Sequence, residues 1–161
     1  MRSPQNTATA LESLHVPVQV KLAAAWTSFM FLYIYVDYFH LYKPGFVDDI
    51  LAGIVYEFDI SPTFVVIALT LVAVPILMIL LSTTLPARVN RITNLVVATL
   101  YIPVSMFNAA GASWEWTYFY GLSIGLEVLL LAFILRSAWT WPRTASPATT
   151  AATADRESVR L

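Results

Sequence analysis

Residues 63–81 read TFVVIALTLVAVPILMILL. The stretch carries no charged side chain, and its only hydroxyls are Thr63 and Thr70. A helix crossing the hydrocarbon of a bilayer needs about 20 mostly apolar residues, which this run supplies. An amphipathic helix on a soluble core would show a polar stripe, and this one has none.

Three further stretches resemble it in length and character. Upstream lies Leu22 to Tyr42, LAAAWTSFMFLYIYVDYFHLY; downstream lie Ile92 to about Ala110, ITNLVVATLYIPVSMFNAA, and Trp116 to Leu135, WTYFYGLSIGLEVLLLAFIL. The connections are short, so neighbours should pack antiparallel. The runs lack the strict alternation of barrel strands. The predicted fold is an all-α integral membrane protein, a bundle of four transmembrane helices over residues 16–143. Residues 1–15 and 144–161 are polar and lack an apolar period, so both ends are expected to be disordered. No signal peptide is expected, because the first span is too long for one and no small-residue cleavage site follows it.

Composition agrees. The chain has 161 residues, 58% apolar and 12% charged, about half the charge of an average soluble domain. That excludes an ordinary soluble enzyme. A net charge of -1 leaves no broad basic surface for nucleic acid. The absence of cysteine excludes disulfides, thiolate nucleophiles and Cys-based metal sites.

Turn residues mark the ends of the spans. Lys43-Pro44-Gly45 closes the first, and Pro86 closes the second. Ser61-Pro62 is a helix start, with a capping hydroxyl and a proline whose missing N–H costs nothing there. Pro75 and Pro103 fall inside spans and predict kinks, tolerable where neighbours satisfy the freed carbonyls. Lys21, Arg88, Arg91, Arg136 and Arg143 sit on one side of the predicted topology, with only Lys43 on the other. The excess of basic residues predicts cytoplasmic N and C termini in a bacterial plasma membrane.

The connection 43–62 places Phe46, Val47, Ile50, Leu51, Ile54, Val55 and Phe58 on one helical face. It predicts an amphipathic helix on the outer surface, either a connector over the bundle top or a lid over a cavity.

Two carboxylates lie within the spans, Asp37 and Glu127. Insertion of such a group near the bilayer centre costs about 2.5–3.5 kcal/mol. Hydrogen bonds across membrane helices average under ~1 kcal/mol, so a purely structural role is a weak reason to keep two. Stripes of polar and aromatic residues accompany them. In the first span these are Trp26, Phe29, Tyr33, Asp37 and His40; in the third, Asn94, Tyr101, Ser105 and Asn108; in the fourth, Trp116, Tyr120, Ser123 and Glu127. Antiparallel packing brings the stripes together in the outer half of the bilayer, while the second span forms a wall. Asp37, His40 and Glu127 could supply three metal ligands, but the Asp-x-x-His spacing is common by chance, and no metal or other cofactor is expected. Gly121 and Gly125 form a G-x-x-x-G pair about 160° around the helix from Glu127. They suit either a homodimer contact or packing within the bundle.

The run Lys21-Leu22-Ala23, Met30 to Tyr35 and Asp37-Tyr38, with Pro44-Gly45, Ala52-Gly53, Pro86, Asn90 and Trp139-x-Trp141-Pro142, resembles a family of short bacterial four-helix membrane proteins without assigned function. In size and helix plan the chain is similar to DoxX-like proteins. The resemblance implies a four-helix membrane domain, with relatives that include quinone- or redox-associated subunits. It transfers no site residue.

Three functions fit these residues. The first is a membrane protein holding a small apolar or amphipathic ligand (lipid, quinone or isoprenoid) in an intramembrane cavity, with Asp37 and Glu127 at its polar end. The lining would be Trp26, Tyr33, Tyr101, Ser105, Asn108, Trp116 and Tyr120. The second is an intramembrane acid–base enzyme of isomerase or cyclase type, with Glu127 as proton donor and Asp37 and His40 as relay. The third is a non-catalytic subunit of a membrane complex. Phosphate-binding loops, H-E-x-x-H and G-x-S-x-G are all absent.

Overall fold

A computed structural model describes residues 16–107 and 114–142. The expected disordered ends therefore lie outside the described residues. Four long helices dominate: α1 (Val18–His40), α3 (Pro62–Thr84), α4 (Ala87–Phe107) and α5 (Thr117–Trp139). A short helix, α2 (Phe46–Leu51), and a hairpin of β1 (Ile54–Val55) and β2 (Phe58–Asp59) follow α1, and a 3₁₀ turn at Trp114–Trp116 leads into α5.

α1, α3 and α5 each have 23 residues, about 35 Å of helix, against a hydrocarbon core of about 30 Å. These three elements, α5 together with its 3₁₀ turn, are long and apolar enough to cross a membrane. α4 is less apolar, because its first two turns carry Arg88, Asn90, Arg91 and Asn94. Of its 23 residues α3 buries only Pro75, Met78 and Ser82. Val66, Leu69 and Leu80 are more than half exposed, a surface that suits lipid and would be a liability in water.

The start of α3 follows the expected chemistry. The Phe64 N–H donates to Ser61 Oγ at 3.1 Å, and Pro62 takes the first helical position. Helix ends elsewhere run past the apolar stretches. α1 begins at Val18, four residues before Leu22, and α4 begins at Ala87, because polar residues such as Lys21 and Asn90 continue the backbone hydrogen bonding.

The connection after α1 differs from the expected amphipathic helix. Helix α2 stops after six residues. Gly53 then takes φ +84°, a left-handed turn that ends the helix, and the Ile60 N–H donates to the Gly53 carbonyl. Ile54 and Val55 pair antiparallel with Asp59 and Phe58. The apolar wheel therefore does not act as one face, and Leu51 is 81% exposed.

α1 packs against α3 and α5, and α5 packs in turn against α4; α3 and α4 touch only lightly across the bundle. Two ends can be named from their contents: a turn end, at the Leu85–Pro86 connection, and a hairpin end, at α2 and β1–β2. The core runs between them through Leu22, Trp26, Phe29, Met78, Ala98, Leu131, Ile134 and Ala138. Trp26, Phe29 and Tyr101 meet edge to face, with ring centroids 5.7–6.2 Å apart.

The two interior prolines sit inside unbroken helical spans. Pro75 has no N–H, so the Leu71 carbonyl four residues back loses its helical donor. The Tyr101 hydroxyl on α4 donates to that carbonyl. A proline on one helix is thereby matched by a tyrosine on another, and this bond clips α3 to α4 where their packing is thin. Replacing Tyr101 with Phe should lower stability by about 1 kcal/mol, read by thermal unfolding of the detergent-solubilised protein. Pro75→Ala should shrink that loss, because the restored N–H takes over the Leu71 carbonyl. An equal loss in both backgrounds would refute the coupling.

Candidate functional site

The polar residues inside the bundle fall into two groups that differ in one respect: whether their hydrogen-bonding groups are used.

At the turn end they are, with the buried Arg91 Nε as the exception. Asn94 Oδ1 accepts from Trp26 Nε1 at 2.7 Å and from Ser82 Oγ at 3.4 Å. Asn94 Nδ2 donates to the backbone carbonyl and Oδ1 of Asn90, at 3.0 and 2.7 Å. Asn90 Nδ2 donates to the Ser82 carbonyl at 2.6 Å. Trp26, Ser82, Asn90 and Asn94 are all fully enclosed. The cluster joins α1, α3 and α4 and has the saturation expected of a structural network. The Arg91 guanidinium lies 5.8 Å from the Trp139 ring centroid, at the rim of this end.

Toward the hairpin end the balance changes. Glu127 on α5 is 1% exposed, and its Oε2 has no hydrogen-bond partner among the described residues. Ser105 on α4 is fully buried and close enough to act on the Glu127 carboxyl, yet its Oγ forms no hydrogen bond of ordinary geometry. Asp37 on α1 interacts with Glu127 through its charge. Asp37 is itself exposed, so the polar site runs from an accessible carboxyl at the bundle surface to an enclosed one within. Leaving a buried polar atom unpaired costs about 1–3 kcal/mol, and here two such atoms lie near one another with no other hydrogen-bond partner among the described residues. Among the described residues no group of three His, Asp or Glu side chains is placed to hold a metal ion.

Above this site lies an aromatic cap. His40 Nε2 is 2.8 Å from the Tyr120 hydroxyl and 3.2 Å from the Tyr56 hydroxyl. A ring nitrogen carries one hydrogen or one lone pair, so it engages one partner fully at a time, and the shorter contact is to Tyr120. Phe46, Tyr56, Phe119 and Tyr120 surround the imidazole at 5.2–6.0 Å. The cap draws one ring from α2, one from the hairpin and two from α5, and His40 holds them to α1. Tyr56 is the one non-glycine residue with positive φ, at 56°, among the described residues. Holding a tyrosine in that sparsely populated region costs energy that its contact with His40 helps to offset.

The structure thus brings together Asp37, Ser105, Glu127, Tyr120 and His40 of the expected site. It assigns other work to two more: the Trp26 indole N–H goes to Asn94 and the Tyr101 hydroxyl to Leu71. Tyr33 packs on Phe29 at 5.9 Å and lies near Tyr56 and Tyr101. Trp116 sits in the 3₁₀ turn, 6.3 Å from Phe119. Asn108 lies outside the described residues. His40 bonds to tyrosines rather than to Asp37. Gly121 and Gly125 are exposed, and a Cβ added at either would meet nothing within 4 Å; they face away from the buried Glu127. Sequence reasoning missed Tyr56, Ser82 and Asn90. Asn90 was within reach, being one helical turn before Asn94 on the same stripe.

The chain belongs to the Family of unknown function (DUF6326), which it matches over residues 13–146. No curated protein and no solved structure matches it. The fold is that of a mostly helical protein with three elements long and apolar enough to cross a membrane, and its activity has to be argued from the site.

Tyr56 lies outside the long helices. Enclosure of its hydroxyl, then the nearby Tyr120, Asp37 and Tyr33, pushes its pKa up to about 12, from an ordinary value near 10. Between those values the unfolded chain releases the proton and the folded chain keeps it. Stability from this group is therefore complete below about pH 10 and declines as pH rises toward about 12. Alkaline titration of thermal stability should show that decline, and Tyr56→Phe should remove it.

Proposed function

We propose that this chain is a four-span membrane protein that holds a small apolar or amphipathic ligand between α1, α4 and α5 at the hairpin end. The observation that carries the reading is the pair of enclosed, unpartnered atoms, Glu127 Oε2 and Ser105 Oγ, beside an accessible Asp37. A bundle needing polar groups only for cohesion would saturate them, as the turn-end network does.

On this reading α4 is the fourth span, its polar face turned inward and its first turn at the membrane surface. Arg88, Arg91 and Arg136 at the turn end, against Asp48, Asp49, Glu57 and Asp59 at the hairpin end, support cytoplasmic termini in a bacterial plasma membrane. A DoxX-like size and helix plan fits such a carrier, and the open Gly121–Gly125 strip would suit a homodimer. The ligand reading is favoured over an acid–base enzyme because His40 bonds to Tyr120 and Tyr56 and not to Asp37, which leaves the proton relay without its first link.

The test is to purify the protein in mild detergent and identify bound small molecules by mass spectrometry. Wild type should retain a defined ligand near stoichiometry. Glu127→Gln and Asp37→Asn should each lower retention at least tenfold with helix content unchanged. Unchanged retention in both variants would remove the site from consideration.

A further inference from the structure

Resting on the ligand-holding reading, we infer that the occupant of this site is a lipophilic organic cation, its charge seated between Asp37 and Glu127 and its body against the aromatic rings.

The argument begins with charge. Two carboxyl groups from different helices lie within electrostatic range of each other. The Lys and Arg side chains of the long helices are Lys21, Arg88, Arg91 and Arg136, all in the turns nearest the turn end, and His40, in the last turn of α1, has its Nε2 against the Tyr120 and Tyr56 hydroxyls. Lys43, beyond the other end of α1, acts on His40. None of these forms an ion pair with Asp37 or Glu127 among the described residues. α3 contributes no ionisable side chain at all. Among the described residues the bundle therefore gathers two carboxyls at one point and supplies no Lys or Arg beside them. A buried carboxyl is either neutral or paired with an opposite charge, and a cationic guest supplies the pairing that no Lys or Arg here does. An anionic guest would meet two like charges at short range.

Geometry narrows the kind of cation. A hard metal ion such as Ca²⁺ takes about 6–8 oxygen ligands, and the described residues offer two carboxyls and one serine hydroxyl. Aromatic faces are what the site has in quantity: Tyr33 on α1, Tyr120 on α5 and Tyr56 from the hairpin. Such rings attract an ammonium or phosphonium group through their negative faces. The route also suits an amphiphile. Asp37 is accessible from the bundle surface, between the exposed apolar Ile34 and Phe39, whereas Glu127 is enclosed. A guest arriving from the bilayer meets the outer carboxyl first and the inner one second.

The experiment uses the full chain in phosphatidylcholine nanodiscs, with binding measured against empty discs. Three probes of similar bulk differ in charge: tetraphenylphosphonium, tetraphenylborate and triphenylmethanol. Tetraphenylphosphonium should bind at least tenfold more tightly than either of the others. Glu127→Gln and Asp37→Asn should each weaken it at least tenfold, and Glu127→Asp should keep the preference. Thermal unfolding followed by circular dichroism checks that each variant folds. Asn94→Ala, in the saturated network, should lower the melting temperature while leaving the affinity of the folded protein unchanged. Triphenylmethanol binding as tightly as the cation, and lost in the same variants, would overturn the cationic guest and leave the ligand-holding reading intact. Binding of none of the probes would also overturn it; the fate of the broader reading then rests on the mass spectrometry of co-purified ligand.

Discussion

A polar group buried among apolar side chains has no water to bond, so it must find its partner in protein or in a ligand. That constraint organises the interior of this molecule. At the turn end it is met by side chains: the Trp26 indole, both asparagines and Ser82 close on one another across three helices. At Pro75 it is met by Tyr101, whose hydroxyl replaces the N–H that proline lacks. At Glu127 and Ser105 it is not met among the described residues. Two other buried atoms are unpaired, Arg91 Nε and His40 Nδ1, each on a side chain engaged elsewhere, by the Trp139 ring and by the tyrosines; Glu127 and Ser105 are the pair that meet at one site.

The same contrast separates residues that look alike in the sequence. Trp26, Tyr33, Tyr101 and Tyr120 all fall on polar-aromatic stripes at helical spacing. Periodicity places them on inward faces, and those of Trp26, Tyr101 and Tyr120 are buried. It says nothing about the partner of each polar atom. That depends on which residue of another helix lies at the same depth, a property of packing and register. Trp26 meets Asn94 because α1 and α4 align there, so a residue read as pocket lining is a strut. Leu71 presents no polar side chain, and only its place four residues before Pro75 makes its backbone the target of Tyr101.

The long helices were legible because their signals are local. An uncharged run, a Ser-Pro start and a proline stop determine α3 almost to the residue. The connection after α1 was not legible by the same means. Its apolar spacing fits a helix over Phe46–Phe58, but Gly53 breaks that helix by turning left-handed, and the remaining residues pair as a hairpin. A wheel drawn through a glycine assumes the backbone that the glycine is free to leave. The error concealed Tyr56, which reaches His40 only because the chain turns back there.

This placement ties the connection to the site beneath it. His40 ends α1, three residues beyond Asp37 and about 4.5 Å further along the axis. Its Nε2 is shared by a tyrosine of the bundle and a tyrosine of the hairpin. The longer bond is the one to the hairpin, so when a single partner is engaged Tyr120 is favoured. Tyr56 also sits in a backbone conformation that releases energy when it relaxes. The left-handed backbone of Tyr56 and a ring nitrogen shared with Tyr120 make Tyr56 the more loosely held of the two partners of His40. The hairpin end is thus joined to the bundle by the His40–tyrosine contacts together with the Phe46–Tyr56 and Phe58–Phe64 ring pairs, and the helix contacts continue from there to the hydrogen-bonded network at the far end.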